Sequence, residues 1–120
     1  MTKLGPEAIN IGGTVSLPQD AKISVLDRGF LYGDSIYEVT RTYNKKLLFI
    51  DEHLKRLYDA GKELKFNLIW SKEELIEEIY RTISFCDADE VTIRLIITRG
   101  QSNYSLGVNS SQKPNLIMIV

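Results

Sequence analysis

The stretch ISVLDRGFLYGDSIYEVTRTYNKKLLFI, residues 23–50, decides how this chain folds. It opens with a short extended piece, residues 23–26, and then runs through Asp27 to Asp34, where Gly29, Gly33 and the flanking aspartates predict a bent connection. Phe30, Leu31 and Tyr32 make that connection too aromatic to be mere linker. Residues 36–43, rich in β-branched and aromatic side chains, predict a strand, and Asn44-Lys45-Lys46 turns it back into the apolar run 47–50 as a hairpin. Strand alternation puts Tyr37, Val39, Arg41 and Tyr43 on one face and Ile36, Glu38, Thr40 and Thr42 on the other. A face that mixes tyrosines with an arginine suits the wall of a wet cavity.

Upstream, residues 9–17 read as a further hairpin turning at Gly12-Gly13, ended by Pro18-Gln19-Asp20. Downstream, residues 51–65 predict a helix capped by Asp51, with Leu54, Leu57, Tyr58, Gly61 and Leu64 on one apolar stripe and Arg56 well off it. A second helix starts at a capping box, Ser71 with Glu74, and Trp70 is placed to staple onto Leu75. Leu75, Ile76, Ile79, Ile83 and Cys86 then face the core. Residues 91–98 alternate as a strand, with Val91, Ile93, Leu95 and Ile97 inward and Arg94 on the less apolar side. A polar loop over 100–113 leads to a final apolar strand, residues 115–120, whose character predicts further chain to cover it. Strands, two helices and strands again, joined by hairpins rather than crossovers, predict one α+β domain: an antiparallel sheet with two helices.

Composition narrows the function classes. Fifteen basic residues against sixteen acidic ones, with no basic stripe, argue against a nucleic-acid surface. The longest apolar runs fall far short of the roughly 20 residues a membrane helix needs. One cysteine, Cys86, and one histidine, His53, at no metal-ligand spacing argue against a zinc or iron site. The lone cysteine and the lack of an apolar signal core at the start suit a cytoplasmic setting.

The run from Ile23 to Arg41 resembles the opening motif of the class IV aminotransferases, the fold type IV enzymes that use pyridoxal 5'-phosphate (PLP). A short hairpin in that family leads into a helix with a His-x-x-Arg-Leu signature, matched here by His53-Leu54-Lys55-Arg56-Leu57. Residues 92–100, TIRLIITRG, look like the strand and loop that close the family's small domain. The resemblance covers most of the chain in order and spacing. It implies that residues 1–120 are the N-terminal small domain of a homodimeric PLP enzyme acting on an amino acid and a 2-oxo acid. The lysine that holds PLP in this family lies beyond the small domain, so the chain by itself is expected to be inactive and to carry no catalytic residue.

By resemblance, Arg56 binds the PLP phosphate, a task for which the planar guanidinium fork is suited. Its ordinary alternative is a surface ion pair with Glu52, four residues earlier. Arg94 matches a position that helps bind a substrate carboxylate; its alternative is an edge-strand charge in water. Tyr32, Tyr37 and Arg41 match substrate-pocket positions, although tyrosines in strands are mostly packing residues. His53, one turn into a helix, carries no assigned chemistry. Val39 is closer to the D-amino-acid enzymes, whereas the loop Gln101 to Leu106 lacks the Arg-x-His carboxylate trap of that group, so Arg94 favours branched-chain-like transamination. Two alternatives stay open: aminodeoxychorismate lyase, which shares cofactor and small domain, and a non-catalytic truncated dimerisation or interaction module.

Overall fold

Six strands form one antiparallel sheet in the order β2-β1-β6-β5-β3-β4 in the computed structural model, which describes residues 5–101 and 113–120. The strands are β1 (Ile9–Ile11), β2 (Thr14–Ser16), β3 (Ser35–Tyr43), β4 (Lys46–Leu47), β5 (Thr92–Thr98) and β6 (Asn115–Ile119). Between them lie α1 (Arg28–Tyr32), α2 (Ile50–Glu63) and α3 (Lys72–Ile83), with a 3-10 turn at Pro18–Asp20. Leu54 and Leu57 of α2 and Leu75 and Ile79 of α3 pack with Ile36, Ile93, Ile97, Leu116 and Met118 into one core. The helices therefore cover a single face of the sheet. Burial of these side chains out of water is the main stabilising term.

The expected hairpins and capping box are present. Asn44 and Lys45 both take positive φ, as a two-residue type I′ turn requires. Ser71 Oγ accepts from the Glu74 amide at 3.0 Å while the Glu74 carboxylate accepts from the Ser71 amide at 3.1 Å.

Four expectations need correction. The bent connection is in part a third, five-residue helix, α1: Asp27 caps it through the Gly29 amide at 2.7 Å, and Gly33, at φ 67, ends it in the left-handed conformation. The apolar run 47–50 is only briefly a strand, because Phe49 turns at φ 51 and α2 starts at Ile50, its cap position falling on Phe49, two residues before the expected cap Asp51, with no side-chain cap bond. The final strand is not exposed within this domain. β6 lies between β1 and β5, and Leu116, Met118 and Val120 are buried by this sheet and its helices. Finally β5, flanked by β6 and β3, is an interior strand, so Arg94 owes its exposure to the open face rather than to a sheet edge.

A polar knot fixes the start of β3 to both neighbours. Asp34 Oδ2 accepts from Arg28 Nε and Arg99 Nε, each at 2.8 Å. Arg99 also donates to the carbonyls of Leu64 and Lys65 at 2.9 and 3.1 Å, satisfying the end of α2, and its guanidinium stacks on Phe66 at 4.2 Å. Burial pushes the Asp34 carboxyl up, but the hydrogen bonds from both arginines outweigh it and leave it below the usual carboxylate range. Beside this knot the buried Asp27 Oδ2 accepts from the Thr98 hydroxyl at 2.8 Å.

Candidate functional site

β3 divides the site into two sides. Its even residues, Ile36, Glu38, Thr40 and Thr42, are buried under the helices; its odd residues, Tyr37, Val39, Arg41 and Tyr43, stand exposed on the open face. This is the alternation expected from the sequence. Beyond the two-residue pairing with β4, the edge of β3 away from β5 is not paired within the sheet. Along it runs a hollow of ≈ 500 Å³, lined by Ser35, Tyr37, Glu38, Val39, Arg56 and Ala60 among others.

Arg56 projects from α2 into that hollow with 72% of its side chain exposed. Its partner is Glu38, not Glu52: Nε donates to Glu38 Oε1 at 2.5 Å and Nη2 to Oε2 at 2.7 Å. The surface-pair alternative named the wrong acid, because Glu38 offers two aligned oxygens on a fixed strand. Glu38 Oε2 also meets His53 Nδ1 at 2.8 Å. Arg56, against burial and with help from His53, holds the Glu38 carboxyl below the usual carboxylate range, so it is an acceptor at neutral pH and His53 must donate from Nδ1. The same pairing raises the Arg56 pKa further.

On the open face the Arg94 guanidinium lies over the Tyr37 ring, 5.6 Å from its centroid, a diagonal cross-strand contact between β5 and β3. Arg94 and Val39 line a second hollow of ≈ 400 Å³ with Glu90, Thr92 and Val120. Val39 borders both hollows, so the two cations, Arg56 and Arg94, stand on either side of one strand with Tyr37 and Val39 between them. The other two expected pocket residues are not brought into this group. Arg41, further along β3, donates from Nε to the Thr42 carbonyl at 3.2 Å, and Tyr32 closes α1 under the Arg28 guanidinium at 5.2 Å. Neither lines the two hollows.

Sequence reasoning missed Glu38 and His53 as parts of the site. One signal was available: a carboxylate on the strand face turned to the core must find partners, since an unpaired buried charge is costly. The loop Gln101 to Leu106, whose sequence lacks the carboxylate trap, lies outside the described residues except for Gln101. Among the described residues no group of three or more His, Cys, Asp or Glu could hold a metal ion, and no helix is long and apolar enough to cross a membrane.

Fold and site together make an α+β layer with two separated cations, Arg94 on the open face and Arg56 of α2 beside the edge of β3. Residues 35–120 match the family model for amino-transferase class IV, and the chain belongs to that family. A putative branched-chain-amino-acid aminotransferase of Methanocaldococcus jannaschii is 35% identical over 111 residues, 92% of this chain and 38% of that protein. A D-alanine aminotransferase of Staphylococcus aureus is 37% identical over 94 residues, 78% of this chain and 33% of that protein. Of solved structures, the branched-chain amino acid aminotransferase from Escherichia coli superposes with a TM-score of 0.80 at 27% identity, over 94% of this chain and 40% of that one. The T.th. branched-chain amino acid aminotransferase with pyridoxamine 5'-phosphate does so at 0.81 and 26%, over 98% and 40%. The chain thus spans about a third of the length of these two curated relatives.

Proposed function

We propose that this chain is the N-terminal small domain of a PLP-dependent aminotransferase that moves an amino group between an amino acid and a 2-oxo acid, working as a cytoplasmic homodimer. The observation that carries this reading is Arg56: a guanidinium with one edge held by Glu38 and the other turned into an open hollow beside Tyr37 and Val39. That donor set fits a phosphate, which takes two parallel N–H donors from one fork. No lysine lines the hollow among the described residues, so the covalent hold on the cofactor and the proton transfer fall to the rest of the enzyme.

Bound PLP supplies the electron sink of transamination. The residues of this chain bind and orient. Arg56 clamps the phosphate, and Arg94, leaning on Tyr37, offers a cation to a substrate carboxylate across the strand. Tyr32 and Arg41, which line neither hollow, are left out of this binding set. Arg94 at this place favours branched-chain-like substrates; Val39 favours the D-amino-acid enzymes, and the second reading rests on that residue.

The test is Arg56→Ala in the full-length protein, with PLP titrated into wild-type and variant apo-protein. Loss of a charge-assisted fork should weaken PLP at least about tenfold. Equal dissociation constants would overturn the reading.

A further inference from the structure

Glu38 does more than neutralise a neighbour. Its side chain is 6% exposed, yet its two oxygens accept three hydrogen bonds: two from Arg56 at 2.5 and 2.7 Å, and one from His53 Nδ1 at 2.8 Å. A guanidinium carries five N–H donors in one plane. Glu38 takes the edge formed by Nε and Nη2, which leaves one hydrogen of Nη1 and one of Nη2 on the next edge, the other Nη1 hydrogen pointing back along the side chain. Because the group is planar and rigid, fixing the first edge fixes the direction of the second. An arginine this exposed on a helix would otherwise sample many rotamers, and that freedom would be lost only when a ligand binds. Glu38 in turn is anchored by its strand and by His53 from one turn earlier on α2.

From this geometry we infer that Glu38 is a positioning residue. It holds Arg56 so that the free edge of the guanidinium is aimed at a phosphate before the phosphate arrives, with His53 as the donor that keeps the Glu38 carboxylate in place. The inference rests on the reading of Arg56 as the phosphate-binding group. Two effects of Glu38 oppose each other. Its charge partly cancels that of Arg56 and lowers the attraction for an anion, while its hydrogen bonds order the fork in advance. At an exposed guanidinium the Coulomb loss is weakened by solvent and salt. The directional gain is not screened, so positioning wins.

The experiment measures dissociation constants of the full-length apo-protein for PLP and for pyridoxal, which lacks the phosphate. Glu38→Gln should weaken PLP about two- to tenfold, the cost of immobilising one long side chain at the moment of binding, and leave pyridoxal unchanged. In an Arg56→Ala background the same change should add nothing. Glu38→Asp keeps the buried charge but is one methylene shorter, so it cannot meet Nε and Nη2 in the same register; it too should weaken PLP selectively, and it serves if Glu38→Gln does not fold. Equal weakening of both ligands would mean a merely structural role. Unchanged or tighter PLP binding in Glu38→Gln, or wild-type affinity in Glu38→Asp, would mean that charge and not orientation decides. Each of those results overturns the inference while Arg56→Ala still weakens PLP. If Arg56→Ala has no effect, the phosphate reading itself has failed.

Discussion

At the scale of single residues, two positions near the start of β3 separate packing from charge. Gly29 sits where an added Cβ would come within 2.6 Å of the Thr98 methyl and 2.9 Å of Asp27 Oδ1, both fixed in a buried hydrogen bond. Gly29→Ala should therefore destabilise the chain by about 1–3 kcal/mol, the usual cost of overpacking, in urea unfolding followed by circular dichroism. Asp34 tests charge. Its folded pKa lies below the unfolded value of about 3.9, so its contribution is complete above that pH and is lost as pH falls through the lower folded value. Asp34→Asn leaves Arg28 and Arg99 facing a neutral amide and should cost about 3 kcal/mol at neutral pH. The variant's stability should also fall less steeply than wild type as pH drops below about 4. Parallel acid profiles in the two proteins would contradict that.

Single elements show what local sequence can and cannot carry. The start of α3 was readable because its determinants lie within four residues: Ser71→Ala removes the acceptor for the Glu74 amide and should cost about 1 kcal/mol, measured by thermal unfolding. The faces of β3 were readable too, since period-two alternation needs no partner. The missed helix, α1, has five residues, too few for an apolar period to emerge, and only its cap residues Asp27 and Gly33 mark its ends. The central place of β6 depends on pairing with β1, more than a hundred residues earlier, and no local pattern states a sheet order. Glu38 falls between these cases. Alternation put it on the helix-facing side, but its partners His53 and Arg56 lie 15 and 18 positions away and come into reach only once α2 docks on β3. Arg56 and the Tyr37–Arg94 contact were legible as separate residues, and their arrangement around one strand was not.

The whole molecule is a two-layer object: helices shield one face of its sheet, and the other bears exposed Tyr37, Val39 and Tyr43, with Tyr37 61% accessible. A run of large side chains along one strand face is the kind of surface that proteins use for association. The source of that stickiness is the open face of β3, not the final strand, which is already interior. Purified as 120 residues, the chain should associate, with its weight-average mass rising with concentration in sedimentation equilibrium. Replacing Tyr37 and Tyr43 together with serine should move it toward monomer while leaving its circular dichroism unchanged, because neither side chain belongs to the core. The same purified chain should show no transaminase activity with added PLP, since no lysine lines the Arg56 hollow among the described residues. Association and inactivity then have separate causes: the serine pair should alter only the first. A wild-type chain that stays monomeric at its highest soluble concentration would mean that the open face is wetter than its tyrosines suggest, and that a cleft partner must be held by something other than apolar burial.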